Sequence, residues 1–452
     1  MKKLLQNKIH RRTSLCAILL ALWLVAASCT NTTTSTTTTD ATTTTNTTPT
    51  TTTATTTATT TSTTTPTTAT VLTVVNSNVT QTYTLSQLQA LQSVTGAGAT
   101  KNGAGVISAT NNYIGVRLTI LIKAAGGMTS GEAVRITGQG NYSKTLSNAQ
   151  VYQGAFNVYD NMGNPATAGI QPFISIIYTM NGNALDTTTG PLETGIITSL
   201  NQESDASLWI KGTSEIDILP AVTLNIAAAS SLSNVLKAID AVYTQANPNV
   251  TISLNTAASG TLQQQIENGA PSDVFLSAAA SNMDSLQKEN LLVNTSRKNL
   301  LNNTLVMIVP NGSTLGLTSF NDLTSSKVTK IAIGDPKSVP SGAYAQSAFD
   351  ELGITAQIQS KFILAANVTQ VLTYVAGGNV DAGFAYSTDA LSSTQVKVAA
   401  NAPADINAQI VYPEAVLQAS RNQDAAQTYL DFLSGSQAKA LFTQFGFTMA
   451  GN

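Results

Sequence analysis

The chain has 452 residues, with 22 Lys and Arg against 24 Asp and Glu, one His and two Cys. Outside the first twelve residues, 17 Lys and Arg are spread among 24 Asp and Glu, which argues against a nucleic-acid partner, because neutralising phosphates needs clustered Lys and Arg. His10, Cys16 and Cys29 are the only residues of their kinds, all near the N-terminus. The folded part of the chain therefore has no Ser-His-Asp or Cys-His set, no His/Cys zinc site and no disulfide.

Residues 1–28 read as an export signal: Lys2, Lys3, Lys8, Arg11 and Arg12, then an apolar run from Leu15 to Ala27. The run is short for a membrane span, and an uncleaved anchor is the alternative. Ala26-Ala27-Ser28-Cys29 resembles a bacterial lipobox, with Ala26 where Leu is usual, which implies lipidation of Cys29. Ordinary cleavage near the same small residues is the other reading. Without the five basic residues of the signal, 17 Lys and Arg face 24 Asp and Glu, a net charge of −7. Residues 29–70 are mostly Thr, with Pro49 and Pro66, and carry too little apolar surface to offset ordering entropy. They are predicted to be an extended tether.

Residues 71–217 read as a mixed α+β domain. A strand is expected at Val71–Val75 and a capped short helix at Thr84–Leu91. A strand or turn at Tyr113–Leu118 leads into a helix closed by Gly126. Ala133–Gly138, Ile170–Ile177 and the segment around Ile196-Ile197 read as further strands. The helix start at 84–88, the 113–126 stretch, Asn141-Tyr142-Ser143 and Gly190-Pro191-Leu192 resemble the molybdopterin-binding fold of the sulfite oxidase superfamily. In that family a cysteine binds the metal, and this domain has none, so the resemblance implies a fold relative without the redox chemistry. A retained anion pocket would draw on Lys101, Arg117, Lys123, Arg135 and Lys144. An Ig-like sandwich is the alternative fold.

A joint is expected within Lys211–Pro220. Residues 220–452 then alternate strands and helices at α/β spacing. Strands are predicted at 222–227, 250–254, 273–277, 304–309, 330–334, 381–386, 395–399 and 409–417. Helices are predicted at 231–246, 261–268, 280–287, 342–352, 368–377, 423–434 and 436–445. Two lobes joined by crossing strands would leave a cleft at the carboxyl ends of the parallel strands. Two hydroxyl-rich turns, Ser230-Ser231 and Ser259-Gly260-Thr261, each follow a strand and open a helix. They fit two uses: ordinary N-caps, or a site where helix-end N–H groups and hydroxyls converge on an anion. Asp273, Asp335 and Asp389 read as cap or turn residues.

The runs Ala-Ala-Ala-Ser-Ser-Leu at 227–232, Ala-Ser-Gly-Thr-Leu-Gln-Gln-Gln-Ile at 258–266 and Asn-Gly-Ala-Pro-Ser-Asp-Val-Phe-Leu-Ser-Ala at 268–278 carry a second resemblance. So do Asn-Thr-Leu-Val at 303–306, Ile-Gly-Asp-Pro at 333–336, Val-Pro-Ser-Gly-Ala-Tyr-Ala at 339–345, Gly-Phe-Ala-Tyr-Ser-Thr-Asp-Ala at 383–390 and Phe-Gly-Phe-Thr at 445–448. In order and spacing they resemble the periplasmic molybdate-binding proteins of ABC importers. That likeness implies a two-lobed periplasmic-binding-protein type II domain of α/β class, preceded by the mixed α+β domain. It implies an extracytoplasmic carrier of molybdate or tungstate, with no catalytic residue and no cofactor. Its partners would be an ABC permease and, through the lipid on Cys29, the membrane.

Carried over by position, the oxyanion donors are the hydroxyls and N–H groups of Ser231 and Ser259, the N–H groups of Ser341 and Val368, and the phenol of Tyr386. There are no direct metal ligands. The family often has Ala where Ser341 stands, and outside the motif Tyr386 reads as a core tyrosine with a satisfied hydroxyl. A dianion in a dry cleft loses much hydration, which several converging donors must offset. No carboxylate falls at the five positions, so the proton of a hydrogen phosphate has no acceptor there. A sulfate or other oxyanion carrier, and a molybdopterin-dependent enzyme or sensor using the first domain, are the alternatives.

Overall fold

The computed structural model describes residues 68–77, 79–166, 172–186, 188, 190–198 and 202–451. The expectations for the export signal, Cys29 and nearly all of the Thr-rich tether lie outside the described residues, as does Ile170.

Alternating apolar residues build the first domain. Leu72 and Val74 face its core from the strand Thr70–Asn76, as Ile216 and Ile218 do from Glu215–Leu219. These two strands pair in parallel at the centre of a five-stranded sheet, ordered 79–84, 70–76, 215–219, 133–137 and 143–147. A larger, mostly antiparallel sheet holds Asn111–Arg117, Phe173–Met180 and Glu193–Ile197 side by side. The helix Leu85–Ala90 has the expected cap: Gln87 N–H donates to Thr84 Oγ1 at 3.2 Å, and Thr84 N–H donates to Gln87 Oε1 at 2.8 Å. The helix Leu118–Ala124 buries Leu118, Leu121 and Ile122, which removes the Ig-like alternative. The domain is mixed α+β.

The expected joint at Lys211–Pro220 is corrected. Glu215–Leu219 is a central strand, so the passage to the next sheet system falls at Pro220-Ala221. Its Glu-Ile-Asp-Ile-Leu alternation buries Ile216 and Ile218, and the charged residues between them stand on the opposite face.

Beyond it the chain forms two lobes. Lobe one has a six-stranded sheet ordered 250–257, 222–229, 274–276, 411–416, 298–302 and 448–449. Its first three strands are parallel, and Val411–Val416 runs antiparallel beside them. Lobe two has a five-stranded sheet ordered 362–365, 331–334, 382–386, 305–310 and 396–401. The chain crosses between lobes at residues 303–304 and returns through residues 402–410. The final helices, Gln423–Leu433 and Ser436–Gln444, pack back on lobe one, where Tyr429 meets Tyr243 edge-on at 5.1 Å between ring centroids.

Every strand and helix expected in residues 220–452 is present, with ends shifted by a few residues. Additional elements are the strands Lys298–Asn302, Phe362–Ala365 and Thr448–Met449 and the short helices Thr355–Ile358, Ser387–Leu391 and Ala404–Ala408.

Candidate functional site

The strands Val222–Ala229 and Val250–Ala257 run parallel in register, with Ala229 opposite Ala257. Their carboxyl ends therefore hold the two serine turns side by side. The first strand enters a 3-10 turn at Ser230–Leu232 and then the helix Ser233–Ala246; the second enters the helix Ser259–Glu267. Lobe two repeats the arrangement: Ile331–Gly334 leads to the helix Pro340–Glu351, Phe362–Ala365 to Val368–Ala376, and Ala382–Tyr386 ends at Tyr386.

The N-cap reading of the serines is corrected. The caps are Ala229 and Leu232 at the first turn and Ala258 at the second, none with a side-chain bond. Ser259 is the first residue inside its helix, and its Oγ accepts from the Ala278 N–H at 2.9 Å. A backbone N–H can only donate, so the Ser259 hydrogen is left to point elsewhere. Ser231 Oγ instead bonds the Tyr412 hydroxyl at 3.0 Å.

The other helix starts are equally local in origin. Pro340 is the first residue of its helix and has no N–H, so Ser341 carries the first donor. The next residue, Gly342, lies so close to the Gly334 backbone that no Cβ fits between them. Asn367 caps the following helix, its Oδ1 accepting from Gln370 N–H at 2.9 Å, and Val368 is the first residue within. The N–H groups of Ser231, Ser259, Ser341 and Val368 all stand in first turns, where no intrahelical acceptor exists.

All five sequence-predicted residues, Ser231, Ser259, Ser341, Val368 and Tyr386, line one small cavity. Its remaining wall is Ala229, Ser230, Ala257, Ala258, Ala278, Val339 and Pro340, so no charged side chain faces it. Two buried hydroxyls there, Ser341 Oγ and Tyr386 Oη, have no hydrogen-bond partner among the described residues. Each residue is 1% exposed. Leaving such a group unpaired costs about 1–3 kcal/mol. The core-tyrosine reading with a satisfied hydroxyl is thereby corrected for Tyr386. Burial, with Tyr412, Tyr344 and Asp389 nearby, pushes the Tyr386 phenol well above its usual range, so it keeps its proton and can donate.

Asp335 and Asp389 serve as turn and cap residues, as expected, whereas Asp273 ties together segments distant in the chain. Asp273 accepts from Asn225 N–H at 2.7 Å and from Ser420 Oγ at 2.6 Å, and Asp335 accepts from Lys337 N–H at 3.1 Å. Asp389 accepts from Tyr386 N–H at 3.1 Å, and burial pushes its carboxyl up to about 7.

Residues that the sequence patterns did not single out complete the surroundings. Tyr412 and Asn303 lie behind Ser231, and Asn303 Nδ2 donates to the Tyr412 hydroxyl at 3.2 Å. Asn303 stands in the quoted 303–306 run, but nothing local marks Tyr412 within its strand. A wider depression lies in the first domain beside Arg117, Lys123, Tyr152 and Phe173. It contains none of the five residues, and the Arg117 guanidinium lies 4.0 Å over the Phe173 ring.

Residues 224–448 match the family described as bacterial extracellular solute-binding protein. A putative ABC transporter substrate-binding lipoprotein of Bacillus subtilis is 36% identical over 235 residues, which is 52% of this chain and 90% of that protein. The molybdate-binding protein of Escherichia coli is 33% identical over 232 residues, covering 50% of this chain and 89% of the relative. A solved substrate-binding domain of a putative molybdenum ABC transporter from Clostridium difficile is 38% identical, with a TM-score of 0.42, covering 51% of this chain and all of that one. The family match leaves the first domain outside it. With sequence, sheet order and cleft in agreement, the chain belongs to the bacterial extracellular solute-binding protein family.

Proposed function

We propose that the protein captures molybdate or tungstate outside the cytoplasm and delivers it to an ABC permease by closing its two lobes around the ion. One observation carries this reading. The starts of four helical segments and several hydroxyl-bearing residues, drawn from both lobes, line a small cavity that has no charged wall. The donors are Ser231 and Ser259 through N–H and hydroxyl, Ser341 and Val368 through N–H, and Tyr386 through its phenol. The Ser341 hydroxyl adds a further donor. The two unpartnered hydroxyls support the reading, because a tetrahedral oxyanion would give both a bond. Neutral donors compensate a dianion without leaving a buried cation between ligands.

Titration calorimetry on the purified protein, in a competition series of molybdate, tungstate, sulfate and phosphate, tests this. Tight binding of the first two is expected. Binding of sulfate or phosphate in preference, or of none of the four, overturns the proposed ligand.

We further propose that residues 1–28 are removed on export and that Cys29 carries the lipid anchor. The named lipoprotein relative supports this reading. Cys29→Ser should move the protein from the membrane fraction to the soluble fraction. For the first domain we retain the proposed kinship with the molybdopterin-binding fold, in a packing or interaction role, since residues 71–217 contain no cysteine to bind a metal.

A further inference from the structure

A serine hydroxyl turns freely, so Ser231 helps an oxyanion only when its hydrogen points into the cavity. The hydrogen bonds behind it decide that direction. Thr304 N–H, which can only donate, gives its hydrogen to Asn303 Oδ1 at 2.9 Å. This fixes the Asn303 amide with its oxygen toward Thr304 and its nitrogen on the other side. Ser387 Oγ donates to the same oxygen at 3.1 Å and receives the hydrogen of Thr304 Oγ1 at 2.9 Å, which agrees with that orientation.

Asn303 Nδ2 then donates to Thr388 Oγ1 at 2.9 Å and to Tyr412 Oη at 3.2 Å. Among the described residues the Tyr412 oxygen forms one other hydrogen bond, with Ser231 Oγ at 3.0 Å. An amide nitrogen cannot accept, so the single Tyr412 hydrogen must go to Ser231. With its oxygen accepting from Tyr412, Ser231 has its own hydrogen free for the cavity. Tyr412 is 1% exposed and Asn303 6% exposed, so water does not compete along the way.

We propose that Asn303 and Tyr412 form a one-way hydrogen-bond relay that holds the Ser231 hydroxyl as an obligate donor to the bound oxyanion. The inference rests on the oxyanion reading above and makes Tyr412 a positioning residue. Both members lie at the crossings between lobes: Asn303 on the outward one, Tyr412 at the start of the strand where the chain returns. Ser259 reaches the same state by a shorter route, through the Ala278 N–H. The two serines of lobe one are thus polarised alike, each by a backbone N–H at the root of its chain of bonds.

The test is a double-mutant cycle read by molybdate titration of the purified protein. Tyr412→Phe should weaken binding about tenfold, the size expected for one misdirected charge-assisted bond. Ser231→Ala should weaken it by at least as much. The Ser231→Ala/Tyr412→Phe pair should bind like Ser231→Ala alone, because the phenol acts only through that hydroxyl. Asn303→Ala removes the amide that links the Thr304 N–H to Tyr412 and should show the same dependence on Ser231. It also serves if Tyr412→Phe does not fold, which melting of the ligand-free protein reveals. Losses that multiply in the double variants, or full affinity in Tyr412→Phe, overturn the relay while leaving the oxyanion reading intact. A wild-type protein that binds no oxyanion overturns both.

Discussion

Gly260 donates its backbone N–H to the Ser338 carbonyl at 3.0 Å, joining the first turn of the Ser259–Glu267 helix in lobe one to the loop before Pro340 in lobe two. A Cβ on Gly260 would stand 2.7 Å from that carbonyl oxygen and 2.9 Å from the Ser338 Cα. Gly260→Ala therefore opposes closure of the lobes. Overpacking of this kind costs about 1–3 kcal/mol, so molybdate affinity should fall about tenfold or more. With the lobes apart, alanine is the better helix residue, so the ligand-free melting temperature should hold or rise. Calorimetry and melting curves together check this; unaltered affinity would show that the contact plays no part in binding.

Ser259→Ala should cost oxyanion binding about 1–3 kcal/mol, because the Ala278 N–H loses its acceptor and the ligand loses a donor. If the affinity for molybdate is unchanged, Ser259 is not part of the site.

Tyr386→Phe should move stability and affinity in opposite directions. The hydroxyl is buried without a partner, so its removal should stabilise the ligand-free protein by about 1 kcal/mol. Molybdate binding should weaken about tenfold through the lost donor. A variant that loses both stability and affinity would mean that the phenol has a structural partner.

Val368→Pro isolates a backbone donor. Val368 is the first helical residue, where proline is tolerated, and Asn367 before it is extended at φ −163°, ψ 170°, as a residue preceding proline should be. The helix should persist while the N–H disappears. Binding should weaken about tenfold or more, whereas Val368→Ala, which keeps the N–H, should bind nearly as wild type. Equal losses in both variants would assign the role of Val368 to its side chain.

Stability should rise as pH falls from about 8 to about 5. Burial pushes Asp389 and Glu414 up to about 7 and Asp240 up to about 6. Lys298, 3.2 Å from Glu414, offsets part of that burial. A carboxyl whose folded pKa exceeds its unfolded one binds its proton more tightly in the native state. The advantage is complete below the unfolded pKa and is lost as pH rises through the folded one. Asp322, held low by the N–H groups of Thr318 and Ser319, works in the opposite sense, but only at more acid pH. Asp389→Asn should flatten the melting-temperature profile between pH 5 and pH 8; a profile unchanged by that variant would remove Asp389 from the linkage.

The repeated strand-turn-helix pattern of residues 220–452 was legible because its signals are local: β-formers in alternation, a small hydroxyl residue, then an apolar stripe. The five cavity residues stand at those same punctuation points, so a linear pattern was enough to name them together. Their exact hydrogen bonding was not legible. Ser259 looked like a cap because caps and first-turn residues share a composition, and only the approach of Ala278 distinguishes them. Tyr412 and Asn303 are 109 positions apart, and no periodicity relates two crossings between lobes. The strand Phe362–Ala365 leaves no pattern in the sequence because it lies at a sheet edge, with Ile363 and Leu364 exposed at 37% and 54%, and an edge does not enforce alternation. Glu215–Leu219 did alternate, but its charged residues and the following Pro220 read as a joint.

The parallel pairing of Thr70–Asn76 with Glu215–Leu219 has a mechanical consequence. The chain enters the first domain at one end of this pair and leaves at the other, toward the solute-binding lobes. A pull between the residues before Thr70 and those after Leu219 would load the bonds between these strands in shear, all at once, rather than opening them one by one. The domain would transmit such tension as a stiff in-line segment.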